Sequence, residues 1–234
     1  MRVITFWFDV ISPYAWLAFD RLPQALEGIS HSVDHRPLLF AGLLQAWGQK
    51  GPAEITPKRA WTYRQTAWLA HQQGTPLQLP RPHPFNPLAL QRLALAAAPA
   101  AAPAAAPSCT TTGGLPNRRV VELLMRHVWC RDGADPNEPV ALAELAARIA
   151  PQRDPNGDEV KAELRAATET ARQRGVFGVP TFECEGRLFW GQDALPMLRA
   201  ALLADPWFDG PHWNEAAEQP PGVQRAQAGP RGTP

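Results

Sequence analysis

Residues 3 to 9 (VITFWFD) are a run of β-branched and aromatic side chains, which predicts a buried strand. Ser12-Pro13 follows as a helix start, because serine is a good N-cap and proline is favoured at the first helical position. Tyr14, Leu17, Ala18, Leu22 and Leu26 then recur at helical spacing. A second strand is expected over residues 32 to 39, around Val33 and His35. The first 40 residues therefore read β-α-β, with Ser12 at the strand-to-helix junction.

From Phe40 to Ile149 the pattern is helical and broken by prolines. Amphipathic segments fall at 59–73, 88–98, 120–129 and 142–149, and no β run interrupts them. Trp61, Trp68 and Trp129 are expected to fill the core of this block, although one of them could wall an aromatic pocket. A helix over 158–174 carries Val160, Leu164, Ala167 and Ala171 on one face. Short strand runs at 181–184 and 187–190 flank Glu185-Gly186, a hairpin signal. Asp193 is expected to cap a last helix bearing Leu195, Leu198 and Leu202. The second half thus reads α-β-β-α.

Two stretches break the periodicity. Residues 94 to 107 hold ten alanines and three prolines, the prolines at 99, 103 and 107. Prolines at that spacing work against the helix that alanine favours, so 94–114 reads as a low-complexity connector. Residues 210 to 234 hold five prolines and four glycines with almost no apolar periodicity, and read as a disordered tail. The element order predicts an α/β, thioredoxin-like fold with an all-helical domain inserted between its β-α-β and α-β-β-α halves. The expected division is 1–40 with 158–205 for the thioredoxin-like domain, 41–157 for the helical insertion and 206–234 for the tail.

Composition narrows the function. Lys plus Arg total 23 against 22 Asp plus Glu, a net charge of +1, so no electrostatic case exists for nucleic acid or an anionic membrane. Cys109, Cys130 and Cys184 stand far apart without a CxxC pair, which excludes a disulfide framework and a zinc ribbon. The six histidines share no metal-ligand spacing, so no metal is expected and they read as surface or polar-core residues. The N-terminus opens into a strand-like run without signal-peptide features, and no run of about 20 apolar residues appears. A cytoplasmic location is the expectation.

Three constellations carry candidate chemistry. In FDVISPYA, Ser12 lies on a turn at a helix N-terminus, where backbone N–H groups and the helix dipole favour an anion. Thioredoxin-like oxidoreductases place CxxC there, whereas this chain has Ser12 and Ala15, which excludes thiol–disulfide exchange at the turn. A serine hydroxyl can still donate to a bound thiolate, although Ser12 alone also reads as a plain N-cap. In GVFGVPTF, Pro180 precedes a strand, at a place where thioredoxin-like folds carry a cis proline that leaves the preceding residue, Val179, open to an extended peptide. An ordinary loop proline is the simpler alternative. In FWGQD, free N–H groups at a helix start can hold a carboxylate, with Asp193 beside them for an ammonium group, or Asp193 is only a cap.

Taken together, FDVISPYAWLA, GVFGVPTF and FWGQDALPML resemble the 2-hydroxychromene-2-carboxylate isomerase family, relatives of kappa-class glutathione transferases. The resemblance covers about residues 3 to 205 and includes Gly48-Gln49-Lys50-Gly51-Pro52, Lys58, Pro84-Phe85-Asn86 and Val128-Trp129. It implies glutathione as cofactor and Ser12 as the catalytic serine at its sulfur. It further implies Val179 and Pro180 at the cysteinyl part and Trp190, Gly191, Gln192 and Asp193 at the γ-glutamyl end. Gln49 and Gln192 stand where the family commonly has Asn. Leu44, Lys58, Phe85 and Asn86 match substrate-binding positions. Phe85 replaces a Tyr found in some relatives, and Leu44 stands near a position that can be Lys in relatives acting on the naphthalene-pathway chromene. Lys58, Arg59 or Arg64 could hold a substrate carboxylate. The activity implied is isomerisation of a hydroxychromene carboxylate to a trans-benzylidenepyruvate by reversible thiolate addition. A kappa-type transferase or peroxidase, and a non-catalytic glutathione- or peptide-binding module, are the alternatives. The partners implied are a small aromatic or enone carboxylate and a second copy of the chain.

Overall fold

The computed structural model describes residues 1–100, 114–220 and 222. Residues 101–113 of the expected connector, with Cys109, and residues 221 and 223–234 of the expected tail lie outside the described residues.

The first strand, β1 (Arg2–Phe8), enters helix α1 (Pro13–Ala25) and then strand β2 (His31–Pro37). Strands β3 (Thr181–Cys184) and β4 (Arg187–Trp190) complete one sheet in the order β2-β1-β3-β4. β1 runs parallel to β2 and antiparallel to β3, with Phe6 opposite Phe182, and β3 is antiparallel to β4, with Phe182 opposite Phe189. The β3–β4 turn is tight because Glu185 and Gly186 both take positive φ, 52° and 78°. Alternation along β1 sends Ile4, Phe6 and Phe8 to the main core and Trp7 to the second cluster on the other face, with Leu38, Leu43, Ala171 and Val176.

Between β2 and β3 the described chain is helical. It forms α2 (Phe40–Ala46), α3 (Thr56–Gln73), α4 (Leu88–Ala96), α5 (Arg118–Trp129), α6 (Pro139–Ile149) and α7 (Asp158–Gln173). After the sheet come α8 (Leu195–Leu202) and α9 (Pro211–Ala217). This is the thioredoxin-like fold with helical material between its halves.

Four expectations change. Trp129 is fully buried, but Trp61 and Trp68 are 62% and 58% exposed, so the aromatic spacing on α3 marks its solvent face. The residues of α3 that pack inward are Thr62, Thr66 and Ala70. The alanine-rich stretch is ordered at its start: α4 runs to Ala96, and Ala94, Ala96 and Ala98 are buried. Small side chains allow close packing there, and Arg153 closes the helix end by donating to Leu95 O (2.8 Å) and Ala98 O (3.0 Å) while pairing with Glu163 on α7 (2.7 Å). The expected disordered tail begins with a 3-10 turn, Pro206–Asp209, and α9, because Phe208 and Trp213 pack on Phe189 at 6.0 and 6.2 Å. Finally, Asp193 does not cap α8. It lies in a 3-10 turn, Gln192–Ala194, and the residue at the α8 N-cap is Ala194.

Candidate active site

Ser12 is the N-cap of α1, and Pro13 occupies the first turn without an N–H to leave unpaired. Ser12 Oγ accepts from Ala15 N (3.3 Å) and donates to Val179 O (3.3 Å). Two motifs 167 residues apart in sequence thus meet at one hydroxyl. The Val179–Pro180 bond is cis, and the Val179 N–H has no hydrogen-bond partner among the described residues. Gly191 N donates to Pro180 O (2.9 Å), which joins the third motif to the second. Gly191 has φ +96°, and a Cβ there would collide with the Asp193 carboxylate, which is folded back over the bare backbone. Trp190 is 54% exposed, packs on Phe177 at 4.9 Å, and lies over Gly178, where a Cβ would come within 2.5 Å of its Nε1.

Tyr14 bridges this surface to α3 by donating to Gln65 Oε1 (2.7 Å). Burial raises the Tyr14 phenol pKa, and the nearby Asp193 charge adds to the rise. Gln192 Oε1 accepts from Gln73 Nε2 at the end of α3 (2.6 Å). Gln49 N donates to Leu44 O (2.8 Å), and Trp47 Nε1 donates to Val176 O (3.0 Å), which anchors the loop with Leu44 and Gln49 beside the residue-176 segment. Lys58 is exposed on α3 without an ion pair among the described residues. Phe85 is 7% exposed and belongs to the main core, and Asn86 Oδ1 accepts from Leu88 N as a local turn at the start of α4. Ser12, Val179, Pro180, Trp190, Gly191, Gln192 and Asp193 therefore form one surface. Phe85 and Asn86 instead serve the loop behind it.

Beneath Ser12 lies a layer that residue-by-residue reading passed over. Asp9 is fully buried, its two carboxylate oxygens accepting from Ile11 N (3.1 Å) and Phe40 N (2.9 Å). Burial pushes its pKa up to about 7 against the pull of those two N–H groups. Side chains of the helical block hold three carbonyls of the same turn. Gln91 Nε2 donates to Phe8 O (3.2 Å), Trp129 Nε1 to Val10 O (3.1 Å), and His83 Nε2 meets Ile11 O (2.9 Å). An acid inside an otherwise apolar strand end was the available signal for Asp9. His83 and Gln91 had none, because their partners lie 72 and 83 residues away. Tyr63, His83, Leu77, Leu79 and Pro82 line a cleft of about 810 Å³ on the flank of α3 away from Gln65.

The turn itself carries no cysteine. Cys130 and Cys184 have thiols pushed up by burial, and Cys184 sits in the sheet. The turn therefore has no thiol of its own.

The DSBA-like thioredoxin domain model matches residues 3–203. The chain belongs to this family. Human glutathione S-transferase kappa 1 is 26% identical over 221 residues, 88% of this chain and 92% of that protein. The 2-hydroxychromene-2-carboxylate isomerase of Sphingobium xenophagum is 27% identical over 209 residues, covering 86% and 98%. A solved structure of 2-hydroxychromene-2-carboxylate isomerase superposes with a TM-score of 0.70 at 20% identity, over 92% of this chain and 98% of that one, and so shares the DSBA-like fold. No helix among the described residues is long and apolar enough to cross a membrane, and no cluster of three or more potential metal ligands occurs among them.

Proposed function

We propose that the protein is a glutathione-dependent isomerase of small, electron-poor aromatic or enone carboxylates, of the 2-hydroxychromene-2-carboxylate type. The observation that carries this reading is the Ser12 hydroxyl at the α1 N-terminus, against Val179 O, in a turn without a thiol of its own. The residues present fit a tripeptide thiol. Val179 N–H has no partner among the described residues and could pair with an extended backbone, and Gly191, bare of a Cβ, lets the Asp193 carboxylate fold against it, where it could receive a γ-glutamyl ammonium. When bound, glutathione supplies a thiolate that adds reversibly to the substrate double bond, permits rotation about it and is released unchanged.

Ser12 acts by donating its hydroxyl hydrogen to the sulfur anion, exchanging the 3.3 Å contact to Val179 O for a charged acceptor. The α1 N-terminus adds its positive end to the same position. Lys58, Arg59 and Arg64 on α3 are the cations available for a substrate carboxylate. Glutathione S-transferases of kappa type are as similar as the isomerases, at 26% against 27% identity, so a transferase is the second reading.

Two measurements test the proposal. Calorimetry is expected to detect glutathione binding. A panel of chromene carboxylates and cis enones is expected to turn over with total glutathione constant. Steady loss of glutathione would establish the transferase instead, and absent binding would remove the cofactor. Gly191→Ala is expected to weaken glutathione at least about tenfold by calorimetry, because displacing Asp193 forfeits a charge-assisted contact of about 1.5–3 kcal/mol.

A further inference from the structure

The carbonyl that precedes Ser12 is held by a histidine whose own orientation is set by a tyrosine. His83 Nε2 lies 2.9 Å from Ile11 O, and Tyr63 Oη lies 2.7 Å from His83 Nδ1 and 3.0 Å from His83 O. The partners dictate the tautomer. A carbonyl oxygen only accepts, so Nε2 carries the hydrogen, and in the neutral ring the single Tyr63 hydroxyl hydrogen is shared between Nδ1 and His83 O, both of which accept. The ring packs against Trp129 at 5.6 Å and edge-on to Phe85 at 5.9 Å, and Trp129 itself donates to Val10 O. Burial lowers the His83 pKa, which keeps the ring neutral at physiological pH.

We infer that His83 is a positioning residue for the Ser12 turn, in the Nε2–H tautomer that Ile11 O selects, and that Tyr63 holds its ring in place. The inference rests on Ser12 being the catalytic group. The peptide joining Ile11 to Ser12 has its C=O on His83 and its N–H on Asp9 O (3.1 Å), so it is pinned from both sides. Releasing the carbonyl lets that peptide rotate, and Ser12 Oγ with it. The Tyr63–His83 pair also lines the open cleft on the flank of α3. This assigns Phe85 a role as well: its buried ring backs the His83 imidazole.

Three variants separate positioning from mere packing. His83→Gln keeps an amide N–H for Ile11 O, His83→Leu offers none, and Tyr63→Phe leaves Nδ1 without its donor. Nitrogen-15 NMR of the wild-type ring is expected to report the neutral Nε2–H tautomer near pH 7. Amide exchange of Ile11 and Ser12 is expected to speed at least about tenfold in His83→Leu and to return towards wild type in His83→Gln. Turnover is expected to fall about tenfold to 10²-fold in His83→Leu through kcat, with glutathione affinity retained, and to recover in His83→Gln. An Nδ1–H tautomer, or wild-type exchange and kcat in His83→Leu, would overturn the inference. Should His83→Leu not fold, the wild-type tautomer and the Tyr63→Phe exchange decide. The ring and exchange readouts need no glutathione. Their success without any turnover would refute the isomerase reading alone, and normal turnover in His83→Leu would refute the positioning role alone.

Discussion

Ser12→Ala is expected to lower glutathione-dependent turnover by roughly 10²-fold or more, the usual cost of removing one donor aimed at developing negative charge. The hydroxyl has two structural roles besides the proposed chemical one. It accepts from Ala15 N as the α1 cap and donates to Val179 O. Losing the cap costs about 1 kcal/mol of stability, so the variant is expected to melt a few degrees lower and remain folded. The decisive reading is therefore the thiol pKa of bound glutathione, followed by thiolate absorbance. It is expected to rise by one unit or more in Ser12→Ala, about 1.4 kcal/mol per unit. Unchanged turnover and an unchanged thiol pKa would remove Ser12 from the mechanism, whatever the melting temperature did.

The parts of this site that could be read in the sequence are those made by neighbours in the chain. The apolar run before Ser12-Pro13 and the Glu185-Gly186 pair each encode an element within a few residues. Periodicity alone failed where it states which residues share a face but not which side that face meets. Trp61 and Trp68, seven residues apart, do share a face of α3, and it points to solvent because the small Thr62, Thr66 and Ala70 allow the close approach to α1. Composition failed at 94–98, where alanines that suggest low complexity are the small residues a tightly packed helix end needs. The aromatics Trp207, Phe208 and Trp213 were the overlooked signal at the chain's end, since three rings in seven residues are rarely left in solvent. His83 and Gln91 were out of reach, because only the fold brings the helical block down onto the turn, whereas Asp9 stood out as an acid at the end of an apolar strand.

Stability is expected to respond to pH in opposite directions when two buried groups are neutralised in turn. Asp9 has its pKa raised from 3.8 to about 7, so the folded state keeps a proton that the unfolded chain gives up above about pH 4. Its contribution is present at low pH and is lost as pH rises towards 7. His35, with Nε2 buried, unpartnered and edge-on to Phe6 and Phe19, has its pKa lowered from 6.5 to about 4 by burial and by Arg118. Its contribution is present above pH 6.5 and is lost as pH falls towards 4. Between these limits each group changes the stability slope by about one proton, or about 1.4 kcal/mol per pH unit, and the two slopes have opposite sign. In the wild type they offset one another. Asp9→Asn leaves His35 uncompensated, so stability should rise with pH more steeply than in the wild type from about pH 4 to 6.5. His35→Phe, which replaces an unpaired nitrogen by a ring matching its aromatic neighbours, should turn the slope the other way. The double variant should return close to the wild-type slope, because the two groups act independently through the unfolded state. Denaturant titrations across this window read all four slopes. Parallel slopes in wild type and Asp9→Asn would mean that Asp9 is ionised in the folded protein, and with it that a fixed negative charge sits beneath Ser12. That charge would oppose the thiolate this turn is proposed to hold, so the pH series also tests whether the site is electrostatically suited to its sulfur.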